Sequence, residues 1–160
     1  MNFQKIRNYK KSDKDSLLEI LKSNTPTYFS PDEEKDFIHY LDHEIDCYYV
    51  LEFQNKIVGC GGINLTKDKN MGIISWGMIH PDFQKLGFGS LLLKHRITEL
   101  DKIKTVNKII VRTSQHVFPF YEKSGFKITK TIPNYWAQGF DLIEMKYQKL
   151  SKSLIKSVNP

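Results

Sequence analysis

The sequence lacks the features that mark several special classes of protein. Only two of its 160 residues are cysteines, Cys47 and Cys60, which is too few for a disulfide framework or a four-ligand zinc site. No stretch reaches the ~18 apolar residues of a membrane-spanning helix, and the N-terminus has no apolar segment of the kind that a secretory signal contains. These absences predict a cytoplasmic protein with no membrane partner and no metal site.

Acidic residues are also in the minority. The chain has 24 lysines and arginines against 18 acidic residues, which gives a net charge of +6. Such a balance favours an anionic partner: nucleic acid, an acidic surface or a phosphate-bearing cofactor. The lysines are spread along the chain, and no basic block alternates with stacking aromatics, so we do not expect binding to nucleic acid. The length and the 40% hydrophobic content indicate one globular domain.

Hydrophobic periodicity and turn signals divide the chain into alternating elements. Strands are predicted at residues 3–7, 48–53, 57–60, 73–79, 108–112, 126–132 and 142–150, and the last two helices at 87–101 and 118–124. The resulting order is β-α-α-β-β-β-α-β-α-β-β, which predicts an α+β fold, a single domain with a mixed β-sheet flanked by helices. The domain is expected over 1–150, followed by a polar tail, 151–160.

Four local signals refine this pattern. Ser12 is a candidate N-cap for the first helix, and Ser30, followed by Pro31 and Glu33, is predicted to open the second with a capping box. A loop over 133–141 is expected between the last two strands. The Gly59–Gly62 run precedes no helix and therefore indicates a strand bulge or close packing.

The segment from Gln84 to Ser90 follows a strand and opens a helix. The first N–H groups of a helix have no internal partner, and the helix dipole adds partial positive charge there. Gly87 and Gly89 allow close approach of a ligand to the backbone, so the turn suits a pyrophosphate. No Gly-Lys-Ser/Thr follows, which excludes a P-loop, and Leu92 replaces the third glycine of the dinucleotide fingerprint. Taken alone, the turn also fits a helix start eased by glycine.

Two motifs give the sequence a family resemblance. Residues 79–89 match the acetyl-CoA motif of the GNAT superfamily of N-acetyltransferases: an apolar strand, a turn with proline, Gln/Arg-x-x-Gly-x-Gly/Ala and an apolar helix. Residues 120–126 resemble the F-Y-E-K-x-G-F element of the same family, and the order of elements agrees from residue 3 to about 150. The resemblance implies a GNAT-like fold and transfer of an acetyl group from acetyl-CoA to a primary amine of a small molecule or protein by direct attack. A coenzyme-A-binding or sensing module with weak catalysis is the alternative.

The same resemblance assigns roles to particular residues. Tyr121 matches the tyrosine that donates a proton to the leaving thiolate. Ser114, with its neighbour Gln115, stands where the family often has an asparagine that contacts the coenzyme. Binding of coenzyme A is expected at two further groups: the pantetheine arm at Gly77, Met78 and Ile79, and the pyrophosphate at Gln84, Lys85, Leu86, Gly87, Phe88, Gly89 and Ser90. The resemblance also implies an amine acceptor as the partner, and a monomer or a homodimer.

The general base is not visible in the sequence. Some relatives carry a glutamate where this chain has Ile109, so the amine has no obvious proton acceptor. The remaining candidates are a water relay and the side chains of His80, Glu52, Asp141 and His116. Cys60 is not favoured as an acyl-carrying nucleophile. The acceptor is expected opposite the coenzyme, between aromatic walls formed by Tyr28, Phe29, Tyr135 and Trp136.

Overall fold

The computed structural model describes residues 3–148, and its elements follow the predicted order. The strands are β1 (Gln4–Asn8), β2 (Cys47–Phe53), β3 (Lys56–Leu65), β4 (Met71–Ile79), β5 (Lys108–Thr113), β6 (Phe126–Ala137) and β7 (Phe140–Tyr147). The helices are α1 (Lys14–Ser23), α2 (Glu33–His43), α3 (Phe88–Asp101) and α4 (Phe118–Lys123). Short 3-10 turns cover Lys11–Asp13 and Pro81–Phe83. The tail predicted at 151–160 lies outside the described residues.

All seven strands belong to one mixed sheet, in the order β1-β2-β3-β4-β5-β7-β6. Neighbouring strands are antiparallel except β4 and β5, which run parallel. Parallel neighbours need a crossover, and α3 supplies it. The α+β fold with a single mixed sheet flanked by helices is therefore confirmed.

The sheet carries a hydrophobic cluster on each of its faces. On the first, which we call the α3 face, side chains of α3 and α4 pack on alternate residues of the strands, among them Leu51, Val111 and Met145. On the second, the α1–α2 face, the two N-terminal helices pack on the intervening residues, such as Val50 and Met78. The alternation follows from the two-residue period of a strand. Among residues 3–148, no helix combines the length and apolarity needed to cross a membrane.

Both N-terminal helices begin later than the sequence predicts. The first begins at Lys14, because the Asp13 carboxylate, rather than Ser12, organises the chain there: it accepts the Lys10 N–H at 2.8 Å and is bound by the Arg7 guanidinium. At the second, the Glu33 carboxylate accepts the Ser30 N–H at 2.7 Å, which is the predicted capping-box bond. The regular helix nevertheless begins only at Glu33.

The loop predicted at 133–141 is wrong, because β6 and β7 continue into it as a hairpin. Only Gln138 and Gly139 lie between the two strands. The tip is fixed by side-chain bonds: the Asn134 N–H donates to Asp141 Oδ1 at 2.8 Å, and the Gly139 N–H donates to Asn134 Oδ1 at 2.7 Å. Gly139 has φ +81°, a left-handed conformation that favours glycine. Pro133 is tolerated because β6 is an edge strand.

Candidate active site

A gap opens in the middle of the sheet where β4 and β5 stop pairing. The parallel ladder joins Met71–Ile74 to Lys108–Val111 and ends there. Beyond it, β4 remains bonded to β3 on one side, and β5 remains bonded to β7 on the other. The last residues of β4 consequently offer an unpaired strand edge at the carboxyl ends of two parallel strands, which is a common location for ligands in such sheets.

A β-bulge turns the end of β4 away from its neighbour. Cys60 lies opposite Met78 and Gly62 lies opposite Ser75, so that two residues of β4 face the single Gly61 of β3. The extra residue comes with an unusual backbone, since Trp76 has φ +43°. Such a bulge bends a strand and releases backbone groups from the ladder. The sequence predicted a strand bulge or close packing at the Gly59–Gly62 run, and both are found: the irregular pairing lies between Cys60 and Gly62, with the extra residue on β4, and a Cβ on Gly62 would lie 2.5 Å from the Tyr48 ring.

The loop after β4 is tied back to the sheet by a side chain of the acetyl-CoA motif. The Gln84 Nε2 group lies 3.0 Å from both the Ile79 carbonyl and the Asn24 Oδ1 atom. The Asn24 amide also donates to the Ile79 carbonyl at 3.0 Å. Asn24, which is buried at the end of α1, was missed by the sequence analysis because nothing in its neighbourhood along the chain indicates this contact.

The glycine turn itself has the geometry of an anion site. Lys85 and Gly87 both adopt left-handed conformations, with φ +63° and +87°. The first bond within α3 runs from the Leu91 N–H to the Gly87 carbonyl at 3.0 Å, so the N–H groups of the residues just before Leu91 have no helical acceptor. A Cβ on Gly87 would meet nothing within 4 Å, whereas one on Gly89 would lie 3.3 Å from the Phe120 ring. Gly87 therefore faces open space, and Gly89 allows α4 to pack closely.

Tyr121 lies on α4 and is 5% exposed. Its ring makes edge contacts with Phe120 and Phe126, with centroids 5.0 and 5.5 Å apart. Among residues 3–148, no group bonds to its hydroxyl, and no enclosed side-chain N or O atom is left without a partner. The ring is consequently part of the core, while the hydroxyl reaches solvent. This arrangement presents a free proton donor from an otherwise rigid side chain.

Ser114 and Gln115 connect the end of β5 to the β6–β7 hairpin. The buried Ser114 hydroxyl accepts the His116 N–H at 3.3 Å. The Gln115 amide is engaged at both of its ends: Oε1 accepts the Asp141 N–H at 2.8 Å, and Nε2 donates to the Gly139 carbonyl at 2.9 Å. Gln115 therefore holds the hairpin against β5.

Each of the side chains considered as a general base already has a structural partner. Glu52 binds Arg7 at 2.7 Å, and Asp141 accepts a backbone N–H at the hairpin tip. His80 Nδ1 accepts the Asp82 N–H at 3.2 Å, which uses the lone pair that a neutral ring would offer to a proton. His116 contacts the Gly139 carbonyl through Nε2 at 3.1 Å, so only its Nδ1 atom remains available.

Two further side chains near the gap are unsuited to proton transfer or nucleophilic attack. Ile109, at the position of the family glutamate, is 3% exposed and packs in the core of the α3 face. Burial raises the pKa of the Cys60 thiol to about 12. The reactive thiolate is therefore scarce at neutral pH, which agrees with the expectation that Cys60 carries no acyl group.

Aromatic side chains flank the gap on the α1–α2 face. On the β4 side, Phe29 stacks on Trp76, with centroids 6.1 Å apart and planes 12° from parallel. On the β5 side, the Trp136 indole donates to the Thr113 carbonyl at 3.1 Å. The structure adds Arg112, which the sequence analysis missed: it donates to the Tyr135 hydroxyl at 3.0 Å and lies over that ring and the Trp136 ring, at 5.2 and 5.8 Å.

Comparisons with known proteins agree with this architecture. The chain matches the family model described as "Acetyltransferase (GNAT) domain" over residues 17–149. Because that match covers most of the sequence, the protein belongs to the GNAT acetyltransferase family.

Individual relatives are more distant. The amino-acid acetyltransferase of Pasteurella multocida is 28% identical over 120 residues, which are 74% of this chain and 26% of that protein. The chain thus spans about a quarter of the length of this curated relative. The ribosomal-protein-S18-alanine N-acetyltransferase from Escherichia coli superposes with a TM-score of 0.75 at 21% identity, covering 94% of this chain and 97% of the other. A GNAT family acetyltransferase from Elizabethkingia anophelis, solved with acetyl-CoA bound, superposes with a TM-score of 0.70 at 20% identity. The match covers 91% of this chain and 98% of the other.

Proposed function

We propose that the protein transfers an acetyl group from acetyl-CoA to a primary amine of a small molecule or protein by direct attack. The observation that carries this proposal is the continuous path from the unpaired edge of β4 to the glycine turn of α3. A strand edge can pair with the amides of a pantetheine arm, and the turn beside it can bind a pyrophosphate. Membership of the GNAT family, and the acetyl-CoA bound by the relative from Elizabethkingia anophelis, support the same donor.

The pyrophosphate contacts are assigned to the backbone N–H groups of residues 86–90. The Lys85 ammonium adds positive charge beside them, and the Ser90 hydroxyl adds a donor. The Gln84 side chain does not need to touch the ligand, because its amide already binds Ile79 and Asn24. Its contribution to binding is to fix the start of the loop, since a preformed site loses less conformational entropy when the ligand arrives.

The pantetheine arm is assigned to the backbone of Gly77, Met78 and Ile79. The Ile79 carbonyl is already occupied by Asn24 and Gln84, so the free groups of this strand end lie nearer the bulge. One N–H there is suited to polarise the thioester carbonyl, as an oxyanion donor does. Ser114 is assigned a contact to the same arm, whereas Gln115 acts by holding the hairpin.

The proton chemistry is assigned to Tyr121 and to water. Acetyl-CoA supplies an activated acyl group whose leaving thiolate needs a proton. The Tyr121 hydroxyl supplies that proton, because it is free of other bonds and is held by a rigid aromatic contact. The attacking amine loses its proton to water, since Glu52 is paired with Arg7, Asp141 accepts a backbone N–H at the hairpin tip, and His80 Nδ1 accepts the Asp82 N–H. His116, whose Nδ1 atom is available, is the alternative base.

The alternative is a module that binds or senses coenzyme A with little catalysis, and Ile109 in place of the family glutamate favours it. Calorimetry with coenzyme A, followed by a thiol-release assay with acetyl-CoA and a panel of amines, separates the two. The panel should include free amino acids and peptides with a free N-terminus, since the named relatives act on amino acids or a protein alanine. Release that depends on the amine supports the transferase. Binding without release for any amine would support the sensing module, and absence of binding would refute both.

The setting of the enzyme is also a proposal. Both cysteines are free thiols, Cys47 at the surface and Cys60 in the core, which supports a reducing compartment such as the cytoplasm. A monomer or homodimer is proposed as the working form.

A further inference from the structure

An arginine occupies a core position of α3. Phe88, Leu92, Arg96 and Leu100 follow one another at intervals of four residues, and all four side chains are buried. This is the spacing of the helix stripe that faces the sheet. Arg96 is only 2% exposed, so its guanidinium lies beneath the strands rather than at the surface.

The charge of Arg96 has no carboxylate partner. Among residues 3–148, no acidic side chain lies within ion-pair distance of it. Its nitrogen atoms instead donate to three backbone carbonyls over long distances: Nε to Leu92 at 3.4 Å, and Nη1 to Gly62 at 3.5 Å and Ser75 at 3.4 Å. A buried arginine without an anion is costly, and a leucine would fill a core position without that cost.

Arg96 lies directly under the bulge of β4. The two carbonyls that Nη1 reaches belong to Gly62 of β3 and Ser75 of β4, which face each other at one end of the irregular pairing. Two glycines make room for the guanidinium: a Cβ on Gly61 would lie 2.9 Å from its Cζ atom, and a Cβ on Gly77 would lie 2.7 Å from Nη2. Both glycines are residues of the bulge itself. The cation and the bulge therefore fit one another.

The Nη2 group of Arg96 is the nitrogen nearest Gly77, and no described residue accepts a bond from it. Because the described residues leave no enclosed side-chain nitrogen without a partner, this atom still reaches solvent. A Cβ on Gly77 would lie 2.7 Å from it, which places this nitrogen next to the bulge of β4. The position is thus more than a filled space in the core.

We propose that Arg96 is a positioning residue for the acetyl transfer described above, which braces the bulge of β4. By bonding carbonyls of β3 and β4 at once, it replaces ladder bonds that the bulge removes. It thereby holds residues 76–79 in the splayed arrangement that exposes their backbone to the donor. This inference rests on the proposed function. The effect of Arg96 on the backbone of residues 76–79 can nevertheless be measured without any activity assay.

Two variants separate bracing from simple filling of space. Arg96→Met keeps the volume and removes both the charge and the donors, whereas Arg96→Lys keeps the charge but cannot span two carbonyls with a planar fork. The matched control is Leu100→Met on the same stripe, one turn further along and in contact with Gly72. The measurements are amide hydrogen exchange at residues 76–79, coenzyme A affinity by calorimetry, and kcat and KM with an amine found active in the panel.

We expect Arg96→Met to fold, because replacing an unpaired buried charge by an apolar side chain is often neutral or stabilising. Exchange at 76–79 should rise at least tenfold and kcat should fall at least tenfold. Coenzyme A affinity should fall by less than tenfold, because the N–H groups of the glycine turn still bind the pyrophosphate. For Arg96→Lys, the exchange rate at 76–79 and kcat should lie between those of Arg96→Met and the parent. Leu100→Met should leave both quantities unchanged.

Unchanged exchange and unchanged kcat in Arg96→Met would overturn the proposal and return Arg96 to plain core packing. If that variant does not fold, Arg96→Lys decides: exchange and kcat within twofold of the parent would also overturn it. Failure of the parent protein to bind coenzyme A would instead refute the proposed function. Exchange at 76–79 would then still test the brace alone.

Discussion

The two halves of β4 differ although they belong to one apolar strand. In the first half, Met71–Ile74 pairs with β5, and every residue takes part in a regular parallel ladder. In the second half, the strand bulges at Trp76 and Gly77 and no longer pairs with β5. A glycine lies in each half, and each is covered by a different residue of α3: Leu100 over Gly72 and Arg96 over Gly77.

This difference shows how one strand can serve both stability and binding. A paired backbone holds the sheet together, because buried N–H and C=O groups need partners. An unpaired backbone edge is costly unless a ligand or water takes the missing place. The second half of β4 leaves such places open, Tyr121 and the glycine turn supply groups that suit a ligand there, and Arg96 bonds the backbone at the bulge.

The largest effect is expected from a variant that tests whether the reaction occurs beside the second half of β4. Tyr121→Phe removes only the hydroxyl, so kcat should fall about 100-fold while coenzyme A affinity changes little. The control is Tyr49→Phe, which deletes a hydroxyl from another buried tyrosine on the α3 face, on β2, a strand that pairs with β1 and β3. Steady-state kinetics on the three proteins measure the effect. Equal kcat in Tyr121→Phe and the parent would assign Tyr121 to core packing alone.

The pH profile tests whether water, rather than a side chain, accepts the proton of the amine. With a lysine-like acceptor, whose amine has a pKa near 10, kcat/KM should rise roughly tenfold per pH unit from 7 to about 8.5 and continue upward. The rise follows the fraction of free amine, because water rather than a side chain takes the proton. A plateau complete by pH 7.5 that disappears in His80→Gln would name His80 as the base and contradict the water route. The same plateau lost only in His116→Gln would name His116.

The role of the glycine turn in binding coenzyme A can be separated from the general cost of backbone strain by comparing two glycines with similar positive φ angles. Gly87→Ala should weaken coenzyme A binding at least tenfold, about 1.4 kcal/mol, because a left-handed conformation at φ +87° disfavours alanine and the N–H groups would move. Gly139→Ala is the matched control: it has φ +81° and equally open surroundings, but lies at the hairpin tip. Calorimetry should show a loss of affinity only for Gly87→Ala, whereas thermal melts show similar destabilisation of both. Equal affinity in the two variants would remove the turn from the site.

The smallest effect compares the two glycines of β4 directly. A Cβ on Gly72 would crowd the Leu100 methyl groups at 2.6 and 2.8 Å, and such overpacking costs about 1–3 kcal/mol of stability. Gly72→Ala should therefore lower the melting temperature and leave kcat/KM unchanged. Gly77→Ala should displace Arg96 and lower kcat/KM several-fold. If the two variants lose activity in equal measure, the two halves of the strand do not differ in function.

Several parts of this site were predictable because their signals are local. The turn from Gln84 to Ser90 depends on a left-handed conformation at Gly87, with φ +87°, which few residues other than glycine adopt. The alternation of apolar residues located the strands because it, too, is a local signal. The hairpin between β6 and β7 was missed because its turn is fixed by bonds between Asn134, Gly139 and Asp141, which no hydrophobic pattern records.

By itself, the sequence determined the order of the elements, the single mixed sheet, the glycine turn and the family. Each of these follows from neighbours along the chain, through periodicity, capping and turn residues. Only the tertiary structure decided that Asn24 meets Gln84, that Arg112 lies over Tyr135, and that Arg96 lies under the bulge of β4. These contacts join residues that are 60, 23 and 21 positions apart. Their partners are set by how helices pack on the sheet and by how the β6–β7 hairpin lies beside β5, which are properties of the folded chain rather than of any segment.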